Sequence, residues 1–241
     1  MRWQREHFQH KETIVTFLCD KSFIHKGIDA LKNARRILED YCERDPEFQK
    51  SMVSYEPMAD APALVKRMAI ESGKMGIGPM ASVAGTFADA ALFEMIQSGA
   101  TDCVVDNGGD IACLIEQPIT VGIYSGQDGM NGLAFEIEPR NEPLGICTSS
   151  GTVGHSFSYG KADAAVVLSK NIPLADAAAT ALANGVKGSE DLENCFQCLE
   201  SIPDIEGALV IYHDQFALWG QLPQMVHSHV SADLITKGKQ A

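Results

Sequence analysis

Between Met75 and Pro139 the sequence contains no lysine and no arginine. An anionic ligand bound to that stretch must find its positive charge in backbone N–H groups and a metal ion. Long apolar runs are missing too: none approaches the roughly 18 residues of a membrane-spanning helix, so no membrane partner is expected. The N-terminus, Met1-Arg2-Trp3-Gln4-Arg5-Glu6-His7, lacks the apolar stretch of a signal peptide, which points to a cytoplasmic protein. A basic surface is also absent. Nineteen basic against thirty-two acidic side chains leave a net charge of -13, which excludes nucleic acid as a partner. Three ligand-binding signatures do not occur: Gly-Lys-Ser/Thr after a glycine loop, Gly-x-Gly-x-x-Gly opening a helix, and a Gly-x-Ser-x-Gly elbow.

What is present is an ordinary globular composition, 45% hydrophobic and 21% charged over 241 residues. That length suits a single domain, 1–241, with a helical first third. The cation-free stretch is rich in glycine: fifteen of the twenty-one glycines fall between Gly73 and Gly160. The seven cysteines, Cys19, Cys42, Cys103, Cys113, Cys147, Cys195 and Cys198, are odd in number and mostly in apolar contexts. They read as reduced, buried thiols. Cys195-Phe-Gln-Cys198 has no second pair and no neighbouring histidine for zinc. It reads as part of a helix capped by Ser189, with both thiols toward the core.

The residue pattern predicts a strand over Thr13–Cys19 and helices over Lys26–Arg44 and Glu47–Ser54. Pro62 opens a third helix, and Ser72–Pro79 reads as a flexible loop. A small-residue helix follows over Met80–Gln97. Strands are expected at about 101–106, 109–116, 119–125, 132–138 and 144–149, then at Ala164–Ser169. An alanine-rich helix spans Pro173–Asn184. The last hairpin joins Ala208–His213 to Gln215–Gly220, and the polar tail after Val230 reads as loose. Ala-Asp-Ala-Ala recurs at 88–91, 162–165 and 175–178, which reads either as small neighbours clearing space around carboxylates or as chance in an alanine-rich chain.

Three segments carry candidate chemistry. Asp106-Asn107-Gly108-Gly109-Asp110 is a tight turn flanked by carboxylates, with glycines that admit a ligand close to the backbone. Cys147-Thr148-Ser149-Ser150-Gly151-Thr152-Val153-Gly154-His155-Ser156 reads either as a plain polar loop or as a nest of N–H donors for phosphate, with His155 moving a proton. In Leu174-Ala175-Asp176-Ala177-Ala178-Ala179-Thr180, Asp176 and Thr180 are spaced i and i+4 on one helix face. They suit a hard cation such as Mg²⁺, or Asp176 is a first-turn acid favoured by the helix dipole. Spacing alone does not choose. His227-Ser-His229 reads as surface.

Taken in order, Ala84-Gly85-Thr86-Phe87-Ala88-Asp89, the Asn107–Asp110 turn, the Thr148–His155 loop and the Ala175–Ala181 helix resemble the ApbE superfamily. The resemblance covers roughly Gly78 to Ala183 and looks closest to a cytoplasmic branch carrying Gly-Pro-Met-Ala and Ser-Ser-Gly-Thr-Val-Gly-His-Ser. It implies an α+β, T-fold-like architecture of largely antiparallel sheets flanked by helices. It implies FAD or FMN and Mg²⁺ as cofactors, and transfer of FMN from the flavin dinucleotide to Thr or Ser of an acceptor protein. Asp176 and Thr180 would be metal ligands. Asn107, Gly108, Gly109 and Asp110 would lie beside the flavin, with Thr148, Ser149, Ser150, Gly151, Thr152 and Gly154 donating to it. His155 and Asp176 would be catalytic. Two departures stand out. Where the family has Ala-Lys-Gly this chain has Val83-Ala84-Gly85. Where the family has an Asp-Pro-Arg-Thr-Gly type segment after its histidine, this chain has Ser156-Phe-Ser-Tyr-Gly160-Lys161. A pocket without turnover is therefore an alternative. So is a part in sulfur assimilation and homocysteine formation, with which members of the branch have been linked. The oligomeric state stays open.

Overall fold

The computed structural model describes residues 3–127, 132–151, 160–228 and 236. Eight antiparallel strands form one sheet: β1 (Gln4–His10), β2 (Thr13–Cys19), β3 (Cys103–Asn107), β4 (Asp110–Leu114), β7 (Leu144–Ser149), β8 (Ala164–Ser169), β9 (Ile205–Tyr212) and β10 (Gln215–Gly220), in that spatial order. A smaller sheet pairs β11 (Gln224–His227), β6 (Leu133–Ile137) and β5 (Ile119–Gly122), also antiparallel. Among the described residues the α-helices are α1 (Lys21–Arg44), α2 (Pro46–Lys50), α3 (Ala63–Lys74), α4 (Val83–Gln97) and α5 (Ile172–Gly185). The architecture is α+β with largely antiparallel sheets, as the resemblance implied.

The layers follow from the two-residue period of the strands. In β3, Cys103 and Val105 join the helices in one core, while Val104 joins a second core with the small sheet. In β9, Ala208 and Val210 face the helices, and Leu209 and Ile211 face the small sheet. Strand β8 is buried at every position and therefore reads as an unbroken apolar run. The large sheet is thus sandwiched between a helical layer and the small sheet.

Several expectations need correction. Both β1 and β11 are strands that the sequence pattern did not suggest. The side chains of β1 are nearly all polar and exposed, and β11 has two half-buried apolar residues, Met225 and Val226, adjacent in the chain, so no alternation marks either strand. Helix α1 begins at Lys21, capped by Asp20, whose carboxylate accepts from Ser22 N at 2.9 Å. Residues Pro79–Ser82 are a 3-10 turn, and α4 starts only at Val83. The expected loop at Ser72–Pro79 is pinned, since Ile77 pairs with Val53. The helix expected around Cys195 is two 3-10 segments, Ser189–Glu193 and Cys195–Cys198, with Gly188 rather than Ser189 at the first cap. Its core-facing residues are Phe196 and Leu199. Cys195 is half-buried and packs against this core, as expected, whereas the three-residue turn leaves Cys198 exposed. Thr236 is buried, so this residue of the polar tail is held. All seven cysteines are free, and Cys19, Cys103, Cys113 and Cys147 are buried as expected. No described helix is long and apolar enough to cross a membrane.

Candidate ligand and metal site

The site is built where α4 and α5 touch under the end of the β3–β4 hairpin. Helix α4 opens with N–H groups that have no partner inside the helix, and its cap residue Ser82 makes no side-chain cap. Asp176 supplies the missing acceptor from the neighbouring helix. Its Oδ2 accepts from Gly85 N at 2.7 Å, and the Ala84 N–H also faces the carboxylate. Gly85 is required here, because a Cβ at that position would lie 2.7 Å from Asp176 Cβ. The first-turn reading of Asp176 does not hold: α5 begins at Ile172, and its first turn carries no acid. The dipole that Asp176 meets belongs to α4.

The hairpin closes through a two-residue turn. Asn107 pairs with Asp110, and Gly108 and Gly109 between them have φ of 70° and 105°. Both central residues need the left-handed region, which only glycine enters at no cost. Asn107 Nδ2 donates to Ala84 O at 3.0 Å, tying the turn to the start of α4. Asp106 Oδ1 accepts from Gly109 N at 2.9 Å. Asp110 then lies against β7, beside the Cys147 thiol and the Thr148 N–H.

Asp110 is buried, and its Oδ1 has no hydrogen-bond partner among the described residues. Burial pushes its carboxyl well above the usual range, and the charge of Asp176 pushes the same way. Burial also raises Asp176, to about 7, although the Gly85 and Ala84 N–H groups oppose it. Cys147, between these acids, is raised by burial and by both of their charges. A buried acceptor without a donor is costly. Asp110, from the stretch without lysine or arginine, and Asp176, from beyond it, form a buried pair of acids that fits a divalent cation. The described residues contain no group of three or more His, Cys, Asp or Glu that could hold a metal. Two carboxylates alone suit an ion that keeps waters and phosphate oxygens as its other ligands, as Mg²⁺ does.

The structure brings Asn107, Gly108, Gly109, Asp110 and Asp176 together. Thr148 contributes through its N–H, because strand alternation turns its side chain toward the small sheet with its partner Val166. Ser149 is buried and Ser150 half-buried. Gly151 N donates to Ala162 O at 2.9 Å. Thr180 is half-buried one turn beyond Asp176 on α5. Thr152, Gly154 and His155 lie outside the described residues, as does His229.

Beside the carboxylates is a pocket of about 350 Å³. Leu38, Met80, Val83 and Phe87 form its apolar wall, and Arg35 and Gln49 lie at its polar side. Ala84 and Asn107 belong to both pocket and turn. The sequence did not point to this pocket. Met80, Val83 and Phe87 at helical spacing on a small-residue helix were its only trace. The recurring Ala-Asp-Ala-Ala gave three different outcomes. Asp176 serves the site. Asp89 pairs with Arg67 at 2.6 Å. Asp163 accepts from Gln127 Nε2 at 3.0 Å and His213 N at 2.6 Å.

The family model described as AbpE bacteria matches residues 2–196. The chain belongs to this ApbE-like family. Among relatives, a UPF0280 protein of Methanococcoides burtonii is 46% identical over 236 residues, covering 97% of this chain and 100% of that protein. A UPF0280 protein of Methanocella arvoryzae is 46% identical over 231 residues, 96% of this chain and 94% of its own length. The ApbE-like fold extends to solved structures at low identity. The flavinyl transferase ApbE of Pseudomonas stutzeri superposes with a TM-score of 0.55 at 14% identity, covering 99% of both chains. The flavin transferase ApbE of Vibrio cholerae gives 0.55 at 13% identity, over 90% of this chain and 97% of that one.

Proposed function

We propose that this ApbE-like chain is a Mg²⁺-dependent flavin-site enzyme that transfers FMN from FAD to a Thr or Ser hydroxyl of an acceptor protein. The observation that carries the reading is the unpartnered, buried Asp110 Oδ1 beside Asp176, next to a 350 Å³ pocket sharing Ala84 and Asn107 with the same turn. An apolar pocket joined to a cation-seeking pair of acids suits a molecule with a flat ring at one end and a pyrophosphate at the other. The printed names of the two ApbE structures support the same direction.

Asp176 and Asp110 would hold the metal, with Thr180 adding a hydroxyl. A bound Mg²⁺ supplies charge neutralisation at the pyrophosphate. Asp176 keeps the start of α4 aligned through Gly85 N, and the pocket wall excludes water from the ring. With the Thr148 N–H on Asp110 and the Gly151 N–H on Ala162 O, the backbone of Thr152 and Gly154 would donate to phosphate, and His155 would take the acceptor hydroxyl proton. The scissile P–O bond breaks toward AMP as the new phosphoester forms.

The test is incubation of the full chain with FAD, Mg²⁺ and Thr- or Ser-containing acceptor proteins, with and without EDTA. Mass spectrometry should find AMP and an FMN-modified acceptor. EDTA and Asp176→Ala should each lower FAD affinity at least about 100-fold, and added salt should lower it far less. FAD binding that ignores both treatments would sink the proposal. Tight, Mg²⁺-dependent binding with no AMP would leave a flavin-binding module in its place.

A further inference from the structure

The face of the large sheet opposite Asp176 carries a second polar constellation that the reading above does not use. His7, Thr16 and Asp106 are successive cross-strand partners on β1, β2 and β3. Cross-strand partners share a face. Asp106 and Asn107 are adjacent in β3 and so point to opposite faces. Asn107 reaches α4, and Asp106 reaches the other way.

Thr16 and Asp106 are joined through Thr236, a residue 130 positions away from Asp106 in the chain. Thr236 Oγ1 donates to Asp106 Oδ2. It lies 2.9 Å from Thr16 Oγ1, which lies 3.3 Å from His7 Nδ1. Each hydroxyl has a single proton. Thr236 spends its proton on Asp106, so Thr16 donates to Thr236, and the His7 Nδ1–H donates to Thr16. The direction of the whole chain is therefore set by its end at Asp106. Asp106 Oδ1 holds Gly109 N at the other side of the carboxylate. Thr236 is 8% exposed, so its hydroxyl is not competing with bulk water.

We propose that Thr236 is a positioning residue for the Asp106–Asp110 turn, bridging Thr16 to Asp106 so that the carboxylate grips Gly109 N and fixes the two-glycine turn. The geometry gives Thr236 a part in ordering the turn. Burial raises the Asp106 carboxyl, while Thr236, the Gly109 N–H, Arg5 and His7 oppose that rise. Removing the hydroxyl takes away the first of these opposing groups and frees Oδ2. Asp106 then binds its proton more readily, and its hold on Gly109 N weakens. Any effect on ligand affinity rests on the flavin-site reading; the effect on the turn does not.

The experiment compares the full chain with Thr236→Val, which keeps the volume and loses the hydroxyl, and Thr236→Ser, which keeps the hydroxyl. Amide exchange at Gly109 is followed by NMR, and the Asp106 carboxyl is titrated by its carbon signal. Near-UV circular dichroism and thermal unfolding report whether each variant is folded. Thr236→Val should speed Gly109 exchange about tenfold or more and move the Asp106 midpoint upward, with Thr236→Ser close to the parent. Thr16→Val should act in the same direction and less strongly, because it leaves the Thr236–Asp106 bond in place. Unchanged Gly109 exchange and an unchanged Asp106 midpoint in Thr236→Val would overturn the proposal. So would equal changes in Thr236→Val and Thr236→Ser. Mg²⁺-dependent FAD binding is measured on the same samples. If no form binds FAD while Gly109 still responds, the flavin reading fails and the positioning role stands.

Discussion

Asp45 and Asp110 are both buried carboxylates, 6% and 8% exposed, and they are opposites in every other respect. Asp45 lies between α1 and α2 and has a donor for each oxygen. Tyr41 OH donates to Oδ2 at 2.7 Å and Tyr55 OH to Oδ1 at 2.8 Å. Asp110 leaves Oδ1 unpartnered and faces a second acid. Residues 1–50, which hold β1, β2, α1 and α2, carry ten basic and nine acidic side chains, and the region around the turn carries no Lys or Arg from Met75 to Pro139. The same chemical group is a completed structural joint in one region and an open valence in the other. A protein keeps an open valence where a ligand closes it.

The sharpest way to break this comparison is to remove each acid. Asp45→Ala should cost about 3 kcal/mol in urea unfolding, because two phenols lose a charged acceptor. Asp110→Asn should cost the metal-free protein less than about 1 kcal/mol, since Oδ1 has no partner to lose. Equal losses would erase the distinction. Next in size is Gly85→Ala. A Cβ 2.7 Å from Asp176 Cβ must push α4 off α5, so about 2 kcal/mol should be lost. Mg²⁺ stabilisation should fall with it, read as a smaller Tm rise on adding MgCl₂.

The pH dependence is smaller and has a defined sign. Burial raises Asp176 to about 7 in the folded chain, above its unfolded value near 4. Its contribution to stability is therefore complete below about pH 4 and lost as pH rises through about 7. A metal competes with the same proton. Mg²⁺ affinity, measured by calorimetry, should rise at least about tenfold from pH 5 to 6 and level only once both acids have lost their protons. An affinity flat across that range would show that Asp176 is not a ligand. The smallest effect is expected at Cys198→Ser, under about 0.5 kcal/mol, because the thiol is exposed and donates only within its own turn, to Cys195 O. A larger loss would give the Cys195–Cys198 pair a role that its geometry lacks.

Much of the fold was legible where buried strands are continuous β-branched and apolar runs. Thr13–Cys19, Leu144–Ser149 and Ala164–Ser169 match their strands, and the hairpin across His213-Asp214 has Tyr212 paired with Gln215. The legible part of the site was the part carried by local backbone need: two glycines between Asn107 and Asp110 announce the turn. Strand β1 was illegible because an exposed edge imposes no apolar period. The CxxC segment misled because a helical period and a 3-10 turn share their first four residues.

The sequence by itself determined the ApbE-like family, the α+β alternation of elements and the cation-free, glycine-rich stretch. These are properties of local propensity and composition, which do not depend on distant partners. Only the tertiary structure decided that Asp176 caps α4 rather than its own helix, that Asp110 Oδ1 is left without a donor among the described residues, and that Thr236 bonds to Asp106. Each depends on which elements pack together. Hydrogen-bond satisfaction of a buried group is a property of that packing and has no trace in the order of residues.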